Sequence, residues 1–222
     1  MKMMIKKLVI AGFMAMLPGA LFAAGGSNVD LEYLEVKLGD KRALQSGAGI
    51  FMNYCLSCHS AQYMRYNRMA EDLGLTEEQV KKNMIFSDAK IGDPMTTTMT
   101  KEDGEAWFGV APPDLTLVAR LRGADWLYSY FKGFYRDSES ITGWNNTVFP
   151  NVAMPHVMHA MQDTASEEEF DQAMSDLTHF LVYMGEPSKL VRIKYGIAVL
   201  CFLGLFGFLA FLLKKEYWRD VH

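Results

Sequence analysis

The chain has 222 residues, enough for one domain with a real core, and its formal net charge of −4 is unremarkable in bulk. The charge is unevenly spread: residues 25–188 hold 13 Lys and Arg against 24 Asp and Glu, a net −11, and every other basic residue sits near an end. A domain that acidic repels nucleic acid, which excludes that class of partner, and it attracts a basic partner at long range. A plain solvated surface is the bland reading of the same surplus.

In chain order, the first element is MKMMIKKLVIAGFMAML followed by the small-residue stretch LFAAGG. A positive start, an apolar run and a small-residue exit make residues 1–24 a secretory signal peptide, with cleavage expected near Ala23 or Ala24. An uncleaved anchor is the alternative. Residues 41–57 then carry a helical run into the motif CLSCH, Cys55 to His59. Thr76 to Gln79 is a capping box that predicts a short helix to about Phe86. Residues 124–135, ADWLYSYFKGFY, read as an aromatic-rich helix. Ser166 to Glu169 is a second capping box, opening a helix with Phe170, Met174, Leu177, Leu181 and Met184 on one face. Gly185 and Pro187 end it. Period-two alternation is scarce, so few strands are expected. The connections 87–122 and 136–165 are long for a compact domain, as if something other than side chains fills its centre.

The last element is YGIAVLCFLGLFGFLAFLL, 19 residues from Tyr195 to Leu213 without a charge. As a helix it is ~28 Å long, close to the ~30 Å hydrocarbon core of a bilayer. Basic residues flank it on both sides, so charge alone does not orient it; the signal peptide does, by exporting what lies between. The expected organisation is a signal peptide over 1–24, a periplasmic domain over 25–188, a transmembrane anchor helix over 189–215 and a cytoplasmic tail over 216–222.

CLSCH carries the chemistry. A thioredoxin-like redox pair needs a βαβ setting, and no strand pattern precedes Cys55. A zinc site needs a second ligand pair, and the one other cysteine, Cys201, lies in the membrane span. A disulfide across two intervening residues closes too small a loop to stabilise much. The remaining reading of C-x-x-C-H is covalent c-type haem attachment. On a helical turn positions i, i+3 and i+4 share a face, so Cys55 and Cys58 reach two vinyl groups of one porphyrin while His59 turns to the iron. Export agrees, because bacteria attach c-type haem outside the cytoplasm. The sixth ligand stays open at this point. Met154, in the proline-flanked stretch FPNVAMPHVMH, belongs to no helical stripe; Met158, His156 and His159 are its rivals among the nearby side chains.

The chain resembles the cytochrome c1 family, the haem subunits of bacterial quinol–cytochrome c reductase (cytochrome bc1) complexes. The likeness rests on NYCLSCHSAQYMRYNRM, GDPM at 92–95, AWFGVAPPDLT at 106–116, FPNVAMP at 149–155, GEP at 185–187 and the single C-terminal span. It implies a mainly α fold: a class I cytochrome c-like haem domain with long loop insertions plus one C-terminal transmembrane helix. It also implies one covalent haem c on Cys55 and Cys58, with His59 and Met154 as axial iron ligands. Pro112 or Pro113 would offer a backbone carbonyl to His59. Arg122, with Arg120 as competitor, would hold a propionate. Trp126 falls where many members have a tyrosine, and Arg65 with Tyr66 matches a family feature near the haem. The implied partners are cytochrome b, a Rieske iron–sulfur protein and a periplasmic cytochrome c acceptor. The acidic clusters Glu167–Glu169 and Glu102, Asp103 and Glu105 would steer a basic acceptor. The rivals are a membrane-anchored c-type subunit of another respiratory enzyme, a haem sensor or peroxidase, and a non-haem adaptor.

Overall fold

The computed structural model describes residues 29–220, so the expected signal peptide lies outside it. The first helix among the described residues, α1 (Lys41–Ile50), starts at Asp40, whose carboxylate accepts from the Arg42 and Ala43 amides at 3.0 and 3.2 Å. Two of the four free donors of the first turn are thereby satisfied. The helix does not run on regularly to residue 57. Over Phe51–Cys55 it widens into a single π-type turn, where the Leu56 amide reaches back to the Phe51 carbonyl at 3.0 Å.

A short strand β1 (Ala61–Arg65) follows, then α2 (Tyr66–Leu73), which ends at Gly74 with φ 73°. The capping box at Thr76 and Gln79 is present with both bonds formed and opens α3 (Glu77–Asn83), three residues shorter than expected. The connection 87–122 has structure of its own: β2 (Pro94–Met95), α4 (Lys101–Phe108) and α5 (Val118–Arg122). β1 and β2 pair antiparallel with Ala61 opposite Met95, which buries that methionine completely.

The aromatic helix α6 (Ala124–Lys132) stops before Gly133, and the chain turns into β3 (Phe134–Arg136). The turn is tight: a Cβ on Gly133 would lie 2.5 Å from Thr147 Oγ1 and 2.9 Å from the Ser129 carbonyl. β3 pairs antiparallel with β4 (Trp144–Asn146), and α7 (His159–Thr164) follows. The second capping box opens α8 (Glu167–Gly185) as its sequence predicts.

The core forms where α1 crosses α8. Gly47 makes the crossing possible, since a Cβ there would sit 2.0 Å from the Asp176 carbonyl oxygen. Phe51 and Phe180 meet at the same crossing with ring centroids 5.5 Å apart. Leu177, Phe180, Leu181 and Met184 of α8 are buried with Phe51, Met69 and Leu73, each worth roughly 2 kcal/mol of hydrophobic stabilisation. The segment before α1 lies along α6: Glu32 and Leu34 donate their amides to Ser129 and Asp125 at 2.8 and 2.9 Å. Lys132 bridges Glu32 and Asp171 at 2.6 and 2.9 Å.

The final helix, α9 (Lys189–Tyr217), has 29 residues and leaves its apolar side chains exposed. It is the one helix among the described residues long and apolar enough to cross a membrane. Lys214 and Lys215 follow its apolar stretch, and exposed Tyr195, Tyr217 and Trp218 stand near its ends, as they do in interfacial belts. The fold is thus mainly α with two short ribbons and one C-terminal candidate span.

Candidate functional site

The π-type turn delivers Cys55 to a last tight turn. The Cys58 and His59 amides both donate to the Cys55 carbonyl, at 3.1 and 2.8 Å. The i, i+3 and i+4 relation therefore survives the end of the regular helix, and the three side chains belong to one turn. Both thiols are free. Burial, and to a smaller degree the neighbouring Cys58, pushes the Cys55 thiol up to about 12. A dithiol redox site works by the opposite shift, toward thiolate, so Cys55 lacks the setting of a redox nucleophile.

His59 is buried, and its Nδ1 lies 2.7 Å from the Pro113 carbonyl oxygen. A carbonyl can only accept, so Nδ1 carries the proton and Nε2 presents a lone pair when the ring is neutral. Burial lowers the imidazole pKa against the opposing pull of the Pro113 carbonyl and Asp114, which favours that neutral form. The same segment is tied down nearby: Asp114 accepts the Gln62 amide at 2.9 Å, and the Leu115 amide donates to the Ser60 carbonyl at 2.8 Å.

His59 opens onto a cavity of about 330 Å³ with largely apolar walls. Cys58 and Pro113 line it on the His59 side, and Met154 lines it from a loop 95 residues later in the chain. Phe149 and Val110 complete part of the wall and are themselves exposed, so the cavity has an open edge.

The Met154 loop is built by two asparagines. Asn146, fully buried, donates Nδ2 to the Tyr130 carbonyl at 2.7 Å and accepts the Val148 and Phe149 amides at 2.9 and 3.1 Å. Asn145 accepts the Asn146 and Asn151 amides at 2.9 and 2.8 Å and donates to Asp137 at 2.8 Å. Those bonds hold the Asp137 carboxyl below the usual carboxylate range, together with the Glu139 amide. Asn151 takes φ 60°, a left-handed conformation that asparagine tolerates better than most residues. Beneath the loop, the Tyr130 hydroxyl donates to Met154 Sδ at 3.4 Å.

The other sequence candidates lie elsewhere. Met158, Met95, Met174 and Met184 are core residues. His156 is buried against Phe134, ring on ring at 4.8 Å, with Nε2 bonded to Gln162 at 2.6 Å. His159 Nδ1 donates to the His156 carbonyl at 3.0 Å. Arg122 reaches over Trp126 and Phe149, 4.9 and 5.8 Å from their ring centres, so it stands beside the cavity wall. Arg65 donates to the Gly92 carbonyl and Tyr66 is buried, and neither lines the cavity. Sequence reasoning missed Tyr130, Asn145 and Asn146. The adjacent pair in WNN, just before a proline-rich loop, was the available signal, because asparagine side chains bond loop amides.

The donor set suits a c-type haem: two thiols and an imidazole on one turn, a thioether across an apolar cavity, and an imidazole tautomer fixed by a carbonyl. The sequence profile of the Cytochrome C1 family matches residues 35–221. The chain is 46 % identical over 244 aligned residues to the cytochrome c1 of Allochromatium vinosum, covering 98 % of this chain and 100 % of that one. It is 44 % identical to a Nitrosomonas europaea protein named ammonia monooxygenase gamma subunit, over 90 % of this chain and 92 % of that one. It is 28 % identical to the cytochrome c1 of Rhodospirillum rubrum, over 82 % and 83 % of the two chains.

Proposed function

From the premise that the chain belongs to the cytochrome c1 family, and is therefore a haem c electron-transfer subunit of a cytochrome bc1 complex, we propose how its own residues do the work. Cys55 and Cys58 form the thioether links, and His59 and Met154 are the axial iron ligands. One observation carries this reading: His59 and Met154, far apart in sequence, line the same apolar cavity.

When bound there, haem c stores and releases single electrons, and a His/Met axial pair favours a high reduction potential. The chain's residues do the rest. The Pro113 carbonyl holds His59 in the tautomer that presents Nε2, which fixes the ring and raises its basicity. With His59 and Met154 both on the cavity wall, the two side chains would hold the iron between them and keep oxygen or substrate from it. The apolar walls keep water from the reacting centre, while exposed Phe149 and Val110 leave an edge through which electrons pass. Arg122 offers a guanidinium beside that edge for a propionate, a pairing that planar forks suit.

In this reading the electron arrives from a Rieske iron–sulfur protein, beside cytochrome b, and leaves to a periplasmic cytochrome c. Residues 1–24 export the haem domain, α9 anchors it, and the tail after residue 215 stays in the cytoplasm. The acidic surplus of residues 25–188 speeds encounter with a basic acceptor, so docking rates fall as salt rises. The relative named as an ammonia monooxygenase subunit supports a second reading, an electron-transfer subunit of another membrane enzyme. Co-purification with cytochrome b and a Rieske protein decides between them.

Ligation is tested on the purified, haem-loaded protein. The expected spectrum has a c-type reduced α-band and a sulfur-to-iron charge-transfer band. Met154→Ala removes the charge-transfer band and Met158→Ala keeps it. Loss in Met158→Ala with retention in Met154→Ala overturns the assignment.

A further inference from the structure

We propose that Tyr130 is a positioning residue for Met154: its hydroxyl hydrogen-bonds the thioether and biases the bound haem toward the reduced state. The proposal rests on Met154 being the iron ligand. Its basis is the bond from Tyr130 Oη to Met154 Sδ at 3.4 Å. No other hydrogen bond involves that hydroxyl among the described residues. The ring is fixed on several sides. It stacks on Trp126 at 4.9 Å and 9°, and Phe131 and Phe134 meet it edge-on at 5.8 and 5.2 Å. Its backbone carbonyl accepts from Asn146, the residue that also orders the start of the Met154 loop. A phenol is protonated at neutral pH, so the hydroxyl is available to donate to the sulfur.

A thioether sulfur is a weak acceptor with two lone pairs. One of them accepts the hydrogen bond from Tyr130, which leaves the other for a metal. The bond therefore does two things. It sets which side of the sulfur is available to a metal, and it draws charge away from the sulfur. A poorer sulfur donor stabilises the ferric ion less, while the ferrous ion, which binds thioethers well, loses little. Reduction adds one electron from an external mediator couple and exchanges neither proton nor ligand. The whole effect therefore appears in the reduction potential.

The experiment is a redox titration of the detergent-solubilised holoprotein, with the charge-transfer band recorded alongside. Tyr130→Phe keeps the ring and its stacking and removes the donor. Net hydrogen-bond worths, only part of which differs between oxidation states, predict about a two- to fivefold shift toward the ferric form. At 59 mV per tenfold for one electron this is about 20–40 mV downward. Placing 3-fluorotyrosine at position 130 strengthens the donor without disturbing the packing, so the potential rises. Tyr128→Phe removes a hydroxyl that faces Lys132 rather than Met154, and the potential stays where it was. If the Phe variant does not accumulate, the fluorinated protein decides alone. An unmoved potential with the charge-transfer band intact overturns the Tyr130 proposal and leaves Met154 as ligand. Absence of the band in the unsubstituted protein overturns the ligation itself, and the proposal with it.

Discussion

The two sides of the cavity are held by different kinds of force. On the His59 side the backbone comes straight from the core: α1 crosses α8 at Gly47, Phe51 packs on Phe180, and the π-type turn hands over Cys55, Cys58 and His59. On the Met154 side there is no helix. The loop keeps its shape because Asn145 and Asn146 collect its amides, and Tyr130 supports the sulfur from below. Packing ties the first side to the stability of the whole domain. Polar bonds hold the second, within the loop and to Tyr130 of α6. The difference predicts that Met154 can leave the cavity while the rest of the domain stays folded, and that the histidine side goes only with the fold.

The largest expected effect breaks the first side. Gly47→Ala places a Cβ within 2.0 Å of the Asp176 carbonyl oxygen and 2.8 Å of Phe180 Cβ, and backbone on both helices must move. Alanine gains about 1 kcal/mol over glycine in a helix, but overpacking costs about 1–3 kcal/mol, and a clash with backbone at 2.0 Å falls at the upper end, so the clash wins. Chemical denaturation of the holoprotein should show a large loss of stability. Helix and haem signals should disappear together, in one transition. A haem signal that departs well before the helix signal would mean the histidine side is not coupled to the core crossing.

Asn146→Ala comes next and breaks the second side. It deprives the buried Val148 amide, the partly buried Phe149 amide and the Tyr130 carbonyl of their partner. Unsatisfied buried groups cost about 1–3 kcal/mol each, and water entering the loop relieves part of that, which leaves about 2–4 kcal/mol. Here two steps are expected. The charge-transfer band goes at lower denaturant than the helical signal, because the loop loosens first. A single coincident transition would sink the comparison.

These two substitutions also mark what the sequence could say. The His59 side was legible, because C-x-x-C-H has a fixed spacing, capping boxes have fixed residue types and a core helix has a 3.6 period. Both capping boxes, α8 and the long apolar helix α9, a candidate span, stand where helices were expected. On the Met154 side the proline-flanked loop singled out Met154 but left Met158, His156 and His159 as rivals, and family likeness chose among them. Its bonds connect residues such as Asn145 to Asn151 and Tyr130 to Met154, which no periodicity links. For the same reason α4 and α5 were read as loop: they are short, polar on much of their surface and lack a strong apolar stripe. The regular helix was expected to reach residue 57. It widens into a π-type turn at Phe51 instead, a change of hydrogen-bond partner that leaves no mark on composition.

The smallest expected effect is a pH dependence confined to the Met154 side. Asp137 accepts from Asn145 Nδ2 and from the Glu139 amide, which holds its carboxyl below the ordinary range near pH ~3.9. A depressed folded-state pKa means that folding favours the carboxylate. Its contribution is complete above the unfolded pKa and is lost as pH falls through the lower folded value. Acid below pH ~4 should therefore release Asn145, loosen the loop that Asn145 orders, and weaken the charge-transfer band before the helical signal changes. Other carboxylates protonate in the same window, so the informative quantity is the difference between the unsubstituted protein and Asp137→Asn. In the variant the band starts weaker at neutral pH and loses less between pH 5 and 3. His59 lies across the cavity, with its Nδ1 held by the Pro113 carbonyl, which does not titrate. The α-band of the bound haem stays unchanged over the same range. Equal acid sensitivity in the two proteins would show that Asp137 does not support the loop. It would leave the asparagines as the sole polar frame of the Met154 side.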